Sequence, residues 1–397
     1  MKRLLLIIVL LGCTLASVAQ ELPPCARPDR SRLQYPGSRE RMERFRSKLQ
    51  ACRECPDSSV CIWHIGGSHV QAGYLSSRLR HNFDSLGHYP SAGRAFIFPY
   101  PLAQTNYDRS YNVSYAGEWT GSRSSYPNKN MPLRPSWGIL GIASYTADTT
   151  AFFATGLDQS CSRLHILGEA SPEVIPYVVA ASDTIRCERD TLYNGFLAEF
   201  PEAVDSIQLF PALRSGEYFM LTGLLPCTPG RCGLSYISTG VNGARTTTWM
   251  ERCPEFEREA AFIHPDLLVL GLGINDSACP PKDFNPEKFK KNYRRLLSIM
   301  MKDAPDCALI FITNNDSWRY ARRRMVHNDN GPAVANAMFE LAAEYGGAVW
   351  DLFDIMGGNF SAEAWRDAGL MKKDRLHFTK EGYQLLGDML YNAIMVE

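Results

Sequence analysis

A buried apolar run that ends in glycine and opens directly into a helical pattern most limits what this chain can fold into. Val60-Cys61-Ile62-Trp63-His64-Ile65 stops at Gly66-Gly67-Ser68. From there Val70, Tyr74, Leu75, Leu79 and Phe83 follow helical spacing. A mostly apolar run of that length reads as a strand covered on both faces, as in a parallel sheet. The same order returns toward the C-terminus. Apolar runs at 267–272, 308–313 and 348–353 alternate with helical stretches at 286–302, 331–345 and 380–395, and residues 40–51 form one more helix. Such alternation implies a parallel sheet with helices on both faces.

The middle of the chain breaks this pattern. Between about Asn106 and Cys232 no long amphipathic helix is legible. Short runs separated by turn residues take its place: 111–115, 151–154, 163–167, 174–179, 206–210 and 218–221. Short strands so spaced read as a β-sandwich or barrel. The expectation is therefore an α/β fold, residues 20–105 and 233–397, into which an all-β sandwich domain, residues 106–232, is inserted.

Composition narrows the function classes. A chain that is 45% hydrophobic is not mainly disordered. Lys+Arg and Asp+Glu both number 42, and no basic stripe occurs, so a nucleic-acid partner is disfavoured. The cluster Arg322-Arg323-Arg324 reads as a solvated helix face. At the N-terminus, Lys2 and Arg3 precede the apolar run Leu4–Leu11, and Ser17-Val18-Ala19 supplies small residues at a cleavage site. This is the pattern of a secretory signal peptide, residues 1–19, cleaved after Ala19. Leu10-Leu11-Gly12-Cys13 also resembles a lipobox, so the alternative is a lipid anchor at Cys13. Either reading places the protein outside the cytoplasm, in the periplasm or cell envelope, and no segment is long enough for a transmembrane span. Eleven cysteines follow residue 19. In an oxidising compartment several are expected in disulfides, with Cys227 and Cys232 the best local pair and at least one thiol left over.

Four segments carry chemistry. Ser68 falls at the start of a helix, where unpaired backbone N–H groups and the helix dipole favour a developing oxyanion. Asp374-Arg375-Leu376-His377 spaces a carboxylate so that it can orient an imidazole, leaving Nε2 to take a proton. Asn275 follows a buried strand within Gly273-Ile274-Asn275-Asp276, at the sheet edge where ligands bind, and can donate its amide to an oxyanion. Gly243, in Gly240-Val241-Asn242-Gly243, can offer a closely approached N–H. Each alone is equally well a turn, a cap or a surface ion pair.

Taken in order, these residues resemble the SGNH (GDSL-type) hydrolase superfamily. The resemblance runs through Ile65-Gly66-Gly67-Ser68-His69, Gly240-Val241-Asn242-Gly243, Gly273-Ile274-Asn275-Asp276 and Asp374-Arg375-Leu376-His377. It implies a flavodoxin-like three-layer fold, a catalytic triad of Ser68, Asp374 and His377, and an oxyanion hole of Ser68, Gly243 and Asn275. It implies no metal and no organic cofactor. One position departs: the family usually has Asp before the serine, where this chain has Gly67. The segments Gly66-Gly67-Ser68-His69-Val70-Gln71-Ala72-Gly73 and Gly93–Tyr100, with the long insertion, are similar to bacterial peptidoglycan O-acetylesterases, which carry a carbohydrate-binding-module-like β-sandwich there. The expected partner is thus an acetylated glycan, most of all peptidoglycan. Alternatives are a deacetylase of another polysaccharide, a lipase-type esterase, or a glycan-binding protein with a decayed esterase domain. Trp119, Tyr126 and Trp137 are candidates for stacking on sugars, or else core residues.

Overall fold

Five parallel strands whose side chains alternate between two apolar layers organise the α/β part. The computed structural model describes residues 22–55 and 57–396, so the expected signal peptide and Cys13 lie outside it. The strands are β1 (Ser59–Gly66), β2 (Gly233–Gly240), β3 (Leu267–Gly271), β4 (Ala308–Ile312) and β5 (Ala348–Trp350). Across the sheet the order is β2-β1-β3-β4-β5. Ser91–Gly93 adds a parallel edge beside β2, and Leu33–Gln34 an antiparallel edge beside β5. This is the flavodoxin-like order, with its switch point at β1, where ligands gather at the strands' C-terminal ends.

Alternation along the strands explains the two helical layers. Val60 and Ile62, Leu267 and Val269, and Ala308 and Ile310 point into one core, which is shared with helices α1 (Glu40–Glu54), α3 (Tyr74–His81) and α6 (Lys380–Met395). Trp63 and Ile65, Leu268 and Leu270, and Leu309 and Phe311 point into the other, where α4 (Pro286–Met300) and α5 (Gly331–Tyr345) pack. In α4, Phe289, Tyr293, Leu296, Leu297 and Met300 make the buried stripe, and Asn285 caps the helix by accepting the Lys288 N–H at 2.9 Å. A fully buried side chain of this kind stabilises by roughly 1.5–3 kcal/mol.

The expected all-β insertion is present. Its nine strands, between Val113 and Cys227, are joined by hydrogen bonds into one antiparallel sheet. Phe152–Ala170 and Gly195–Phe210 run through it, so the short runs at 151–154 and 163–167 are stretches of one long strand. The insertion does not stand apart from the α/β part. Trp137, Ile139, Leu140 and Phe219 share one continuous core with Trp249, Phe256, Ile65 and Leu270.

Three expectations change. The helix expected from Val70 to Phe83 is interrupted: α2 (Ser68–Gln71) ends before Gly73, whose φ of +82° breaks the turn before α3 begins. Arg322-Arg323-Arg324 is not a helix face. Arg322 and Arg323 both have positive φ and form the turn of a hairpin, Trp318–Ala321 with Arg324–His327. The expected disulfides are not formed, since all eleven described cysteines are free. Cys227 ends a strand of the antiparallel sheet, whereas Cys232 sits before β2 of the other sheet and donates its thiol to the Gly230 carbonyl at 3.6 Å. Among the described residues, no helix is long and apolar enough to cross a membrane.

Candidate active site

The C-terminal ends of β1, β2 and β3, together with the loop before α6, bring the expected residues to one place. Ser68 is the first residue of α2, directly after β1 and Gly67. Its Oγ lies 2.8 Å from His377 Nε2. His377 Nδ1 lies 2.8 Å from Asp374 Oδ2. With Nδ1–H donated to the carboxylate, Nε2 is left to accept the serine proton. The chain positions 68 and 377 thus meet across 309 residues of sequence.

Asp374 is held as an anion. Burial pushes its carboxyl upward, but hydrogen bonds from the His377 ring and from the backbone N–H groups of His377 and Leu376 outweigh it. Those N–H groups reach Oδ1 at 3.0 Å each, and the carboxyl lies well below its usual range. The triad loop is braced from outside. Asn315 donates to the Leu376 carbonyl at 3.1 Å, the Trp318 N–H donates to the Arg375 carbonyl at 3.0 Å, and the Arg375 guanidinium lies 3.7 Å from the centre of the Trp318 ring.

Asn275 sits beyond β3, and its amide donates to the Ala244 carbonyl at 2.9 Å. An amide nitrogen has two N–H groups, so one orients the side chain and the other stays available. Gly243, beyond β2, has a φ of +81°, which favours glycine. Asp276 ties the two loops together by accepting the Thr246 hydroxyl at 2.6 Å.

Two neighbours escaped the reading of the sequence, although both stand in the segment that suggested the family. His69 lies with its ring centre 5.6 Å from that of His377, and its Nδ1 meets the Tyr383 hydroxyl at 2.8 Å. Burial, then the nearby His377, lower it to about 3, so it is a neutral wall behind the triad. Gln71 accepts the Asn242 N–H at 2.7 Å and donates to Thr105 Oγ1 at 3.0 Å. It thereby joins the helix that carries Ser68 to the Gly243 loop and to the root of the insertion. Of the candidate sugar-stacking residues, Trp119 and Trp137 are core, and Tyr126 is 74% exposed. No group of three or more His, Cys, Asp or Glu placed to hold a metal ion occurs among the described residues.

Residues 222–385 match the model of the GDSL-like lipase/acylhydrolase family. That span is 164 of the 397 residues. The matched span holds Gly243, Asn275, Asp374 and His377. Ser68 stands ahead of it, on the other side of the insertion. A solved structure of a peptidoglycan O-acetylesterase in action is 17% identical, with a TM-score of 0.67, and covers 91% of this chain and 97% of its own. At that identity the likeness is one of fold, and at 91% coverage it extends over the β-insertion. Solved structures of the acetyl xylan esterase AlAXEase and of a GDSL-like lipase from Bacteroides thetaiotaomicron are each 18% identical. They cover 40% of this chain and 81% and 75% of their own, with TM-scores of 0.33 and 0.31. A search of curated proteins gives no significant match.

Proposed function

We propose that this acylhydrolase is an exported serine esterase that removes O-acetyl groups from a glycan, peptidoglycan foremost. The observation that carries the reading is the unbroken relay from Ser68 through His377 to Asp374, beside the Asn275 amide. Ser68 Oγ attacks the acetyl carbonyl while His377 Nε2 takes its proton and Asp374 steadies the resulting imidazolium. The carbonyl electrons move onto oxygen, which receives the N–H groups of Ser68 and Gly243 and the free N–H of Asn275. Losing one such donor typically costs about 3–4 kcal/mol. The intermediate collapses, the sugar oxygen departs, and His377 returns the proton to it. Water then gives a proton to His377 and attacks the acetyl-serine, which releases acetate and restores Ser68.

The peptidoglycan reading draws on the fold-level likeness, which extends through the insertion, and on the export pattern of residues 1–19, whether cleaved after Ala19 or anchored through Cys13. In this reading residues 106–232 form a carbohydrate-binding module beside the cleft. The decayed-esterase alternative rested on Gly67. The triad contacts form with Gly67 in place, which favours the catalytic reading.

Acetate release from O-acetylated peptidoglycan, acetylated xylan and long-chain esters, by wild type and by Ser68→Ala, tests the proposal. Release from the glycan by wild type alone is expected. Equal turnover by the variant would sink the mechanism, and a preference for long-chain esters would sink the substrate.

A further inference from the structure

A cleft of about 380 Å³ opens beside the oxyanion loop, on the insertion's side of the site. Thr105, Arg123, Tyr126, Asn128 and Lys129 are on its wall, and no Asp or Glu lines it. Neither Arg123 nor Lys129 has a carboxylate within 4.0 Å among the described residues. Tyr126 projects into solvent, unlike the two tryptophans of the same region.

Two links connect the cleft to the site. Thr105 accepts hydrogen bonds from Gln71, three residues after Ser68, and from Asn242 at 3.4 Å, the residue before Gly243. Ser125, between Arg123 and Tyr126, donates to the Asn242 carbonyl at 2.5 Å, and its Cβ lies 3.9 Å from where a Cβ on Gly243 would stand. Through Thr105 and Ser125 the cleft thus adjoins the loop that holds Gly243 and the helix that starts at Ser68, and it presents two cations and one exposed aromatic ring.

We propose that this cleft is a subsite for a carboxylate-bearing unit of the acetylated glycan. Arg123 and Lys129 pair with the carboxylate, and Tyr126 stacks on the adjoining sugar face. The inference rests on the esterase reading and deepens it, because it names an acidic substrate. Two sources supply that chemistry: the lactyl-peptide arm of an acetylated muramyl oligosaccharide, and an acetylated uronic-acid oligosaccharide.

The test measures binding by calorimetry, using deacetylated oligosaccharides of each kind as the free acid and as the carboxamide, so that it does not depend on turnover. Wild type is expected to bind the acid of one series about tenfold more tightly than its amide, with the gap shrinking as salt rises. Arg123→Gln with Lys129→Gln, verified as folded by its thermal transition, should bind acid and amide alike. The series with the gap identifies the source of the carboxylate. Equal binding of acid and amide by wild type in both series overturns the proposal, as does a gap that survives the double substitution. Hydrolysis of p-nitrophenyl acetate by wild type, measured separately, reports on the esterase reading itself.

Discussion

Gly67 and Asn275 occupy one small volume, and this gives the departure from the usual family aspartate a physical meaning. A Cβ at position 67 would stand 3.2 Å from Asn275 Nδ2, closer than ordinary contact. The amide would have to yield by a few tenths of an ångström while still bonded to the Ala244 carbonyl. Gly67→Ala is therefore expected to lower kcat on p-nitrophenyl acetate by about tenfold, equal to about 1.4 kcal/mol, with KM little changed. Asn275→Ala should lower it further, by about 10²–10³. An alanine variant at full kcat would mean that the amide is not placed for the transition state. At this scale Ser68, Asp374, His377, Gly243 and Asn275 stand out in the sequence because each residue type lies beside a recognisable turn, and the contacts of Ser68 with His377 and of His377 with Asp374 form as that spacing suggests. His69 and Gln71 do not stand out. Their partners, Tyr383 and Asn242, lie 314 and 171 residues away, and nothing local to a histidine or glutamine announces such a contact.

Elements with a strong period were readable, and elements set by backbone exceptions were not. The buried strands and the helices at 331–345 and 380–395 follow from apolar spacing, because one face of each must meet the sheet. The hairpin at 318–327 hides behind three arginines, two of them in the left-handed region where glycine or asparagine is the usual signal. Its use is visible only in three dimensions. Trp318 braces the Asp374–His377 loop through its backbone N–H and through the stacked Arg375. Trp318→Ala keeps the N–H but removes the stack, so His377 should spend less time within reach of Ser68. The expected outcome is a kcat about tenfold lower at nearly constant KM, recovered in large part by Trp318→Phe. Unchanged kcat in the alanine variant would show that the hairpin does not position the loop.

At the scale of the whole molecule, the insertion was legible as a change of period, but its union with the α/β core was not, because burial between sequence-distant surfaces leaves no periodic mark. Trp249 Nε1 donates to the Ile139 carbonyl at 2.8 Å and the Glu255 N–H to the Trp137 carbonyl at 3.1 Å, within one shared apolar cluster. Thermal unfolding should accordingly be a single transition, and excising residues 106–232 should yield insoluble protein, since Ile65 and Leu270 would lose part of their cover. Two resolved transitions with a soluble excised form would contradict the shared core. The same seam holds a titratable group. Glu259, 2% exposed, accepts the Ile139 N–H at 2.6 Å from across the seam. Burial raises its carboxyl to about 7 despite that bond. The unfolded chain releases this proton near 4.5 and the native protein near 7. Between those values the native state binds more protons, so its stability falls as pH rises, then levels off above about 7. His327, raised by Asp329 and Asp316 against the lowering effect of its burial, adds a decline of the same sign above 6.5. Comparison with Glu259→Gln isolates the first contribution, because glutamine still accepts from Ile139 but does not ionise. In denaturant titrations the variant is expected to match wild type near pH 4.5 and to exceed it at pH 7.5 by on the order of 2–3 kcal/mol. A difference that stays constant across that range would mean that Glu259 does not hold its proton at the seam.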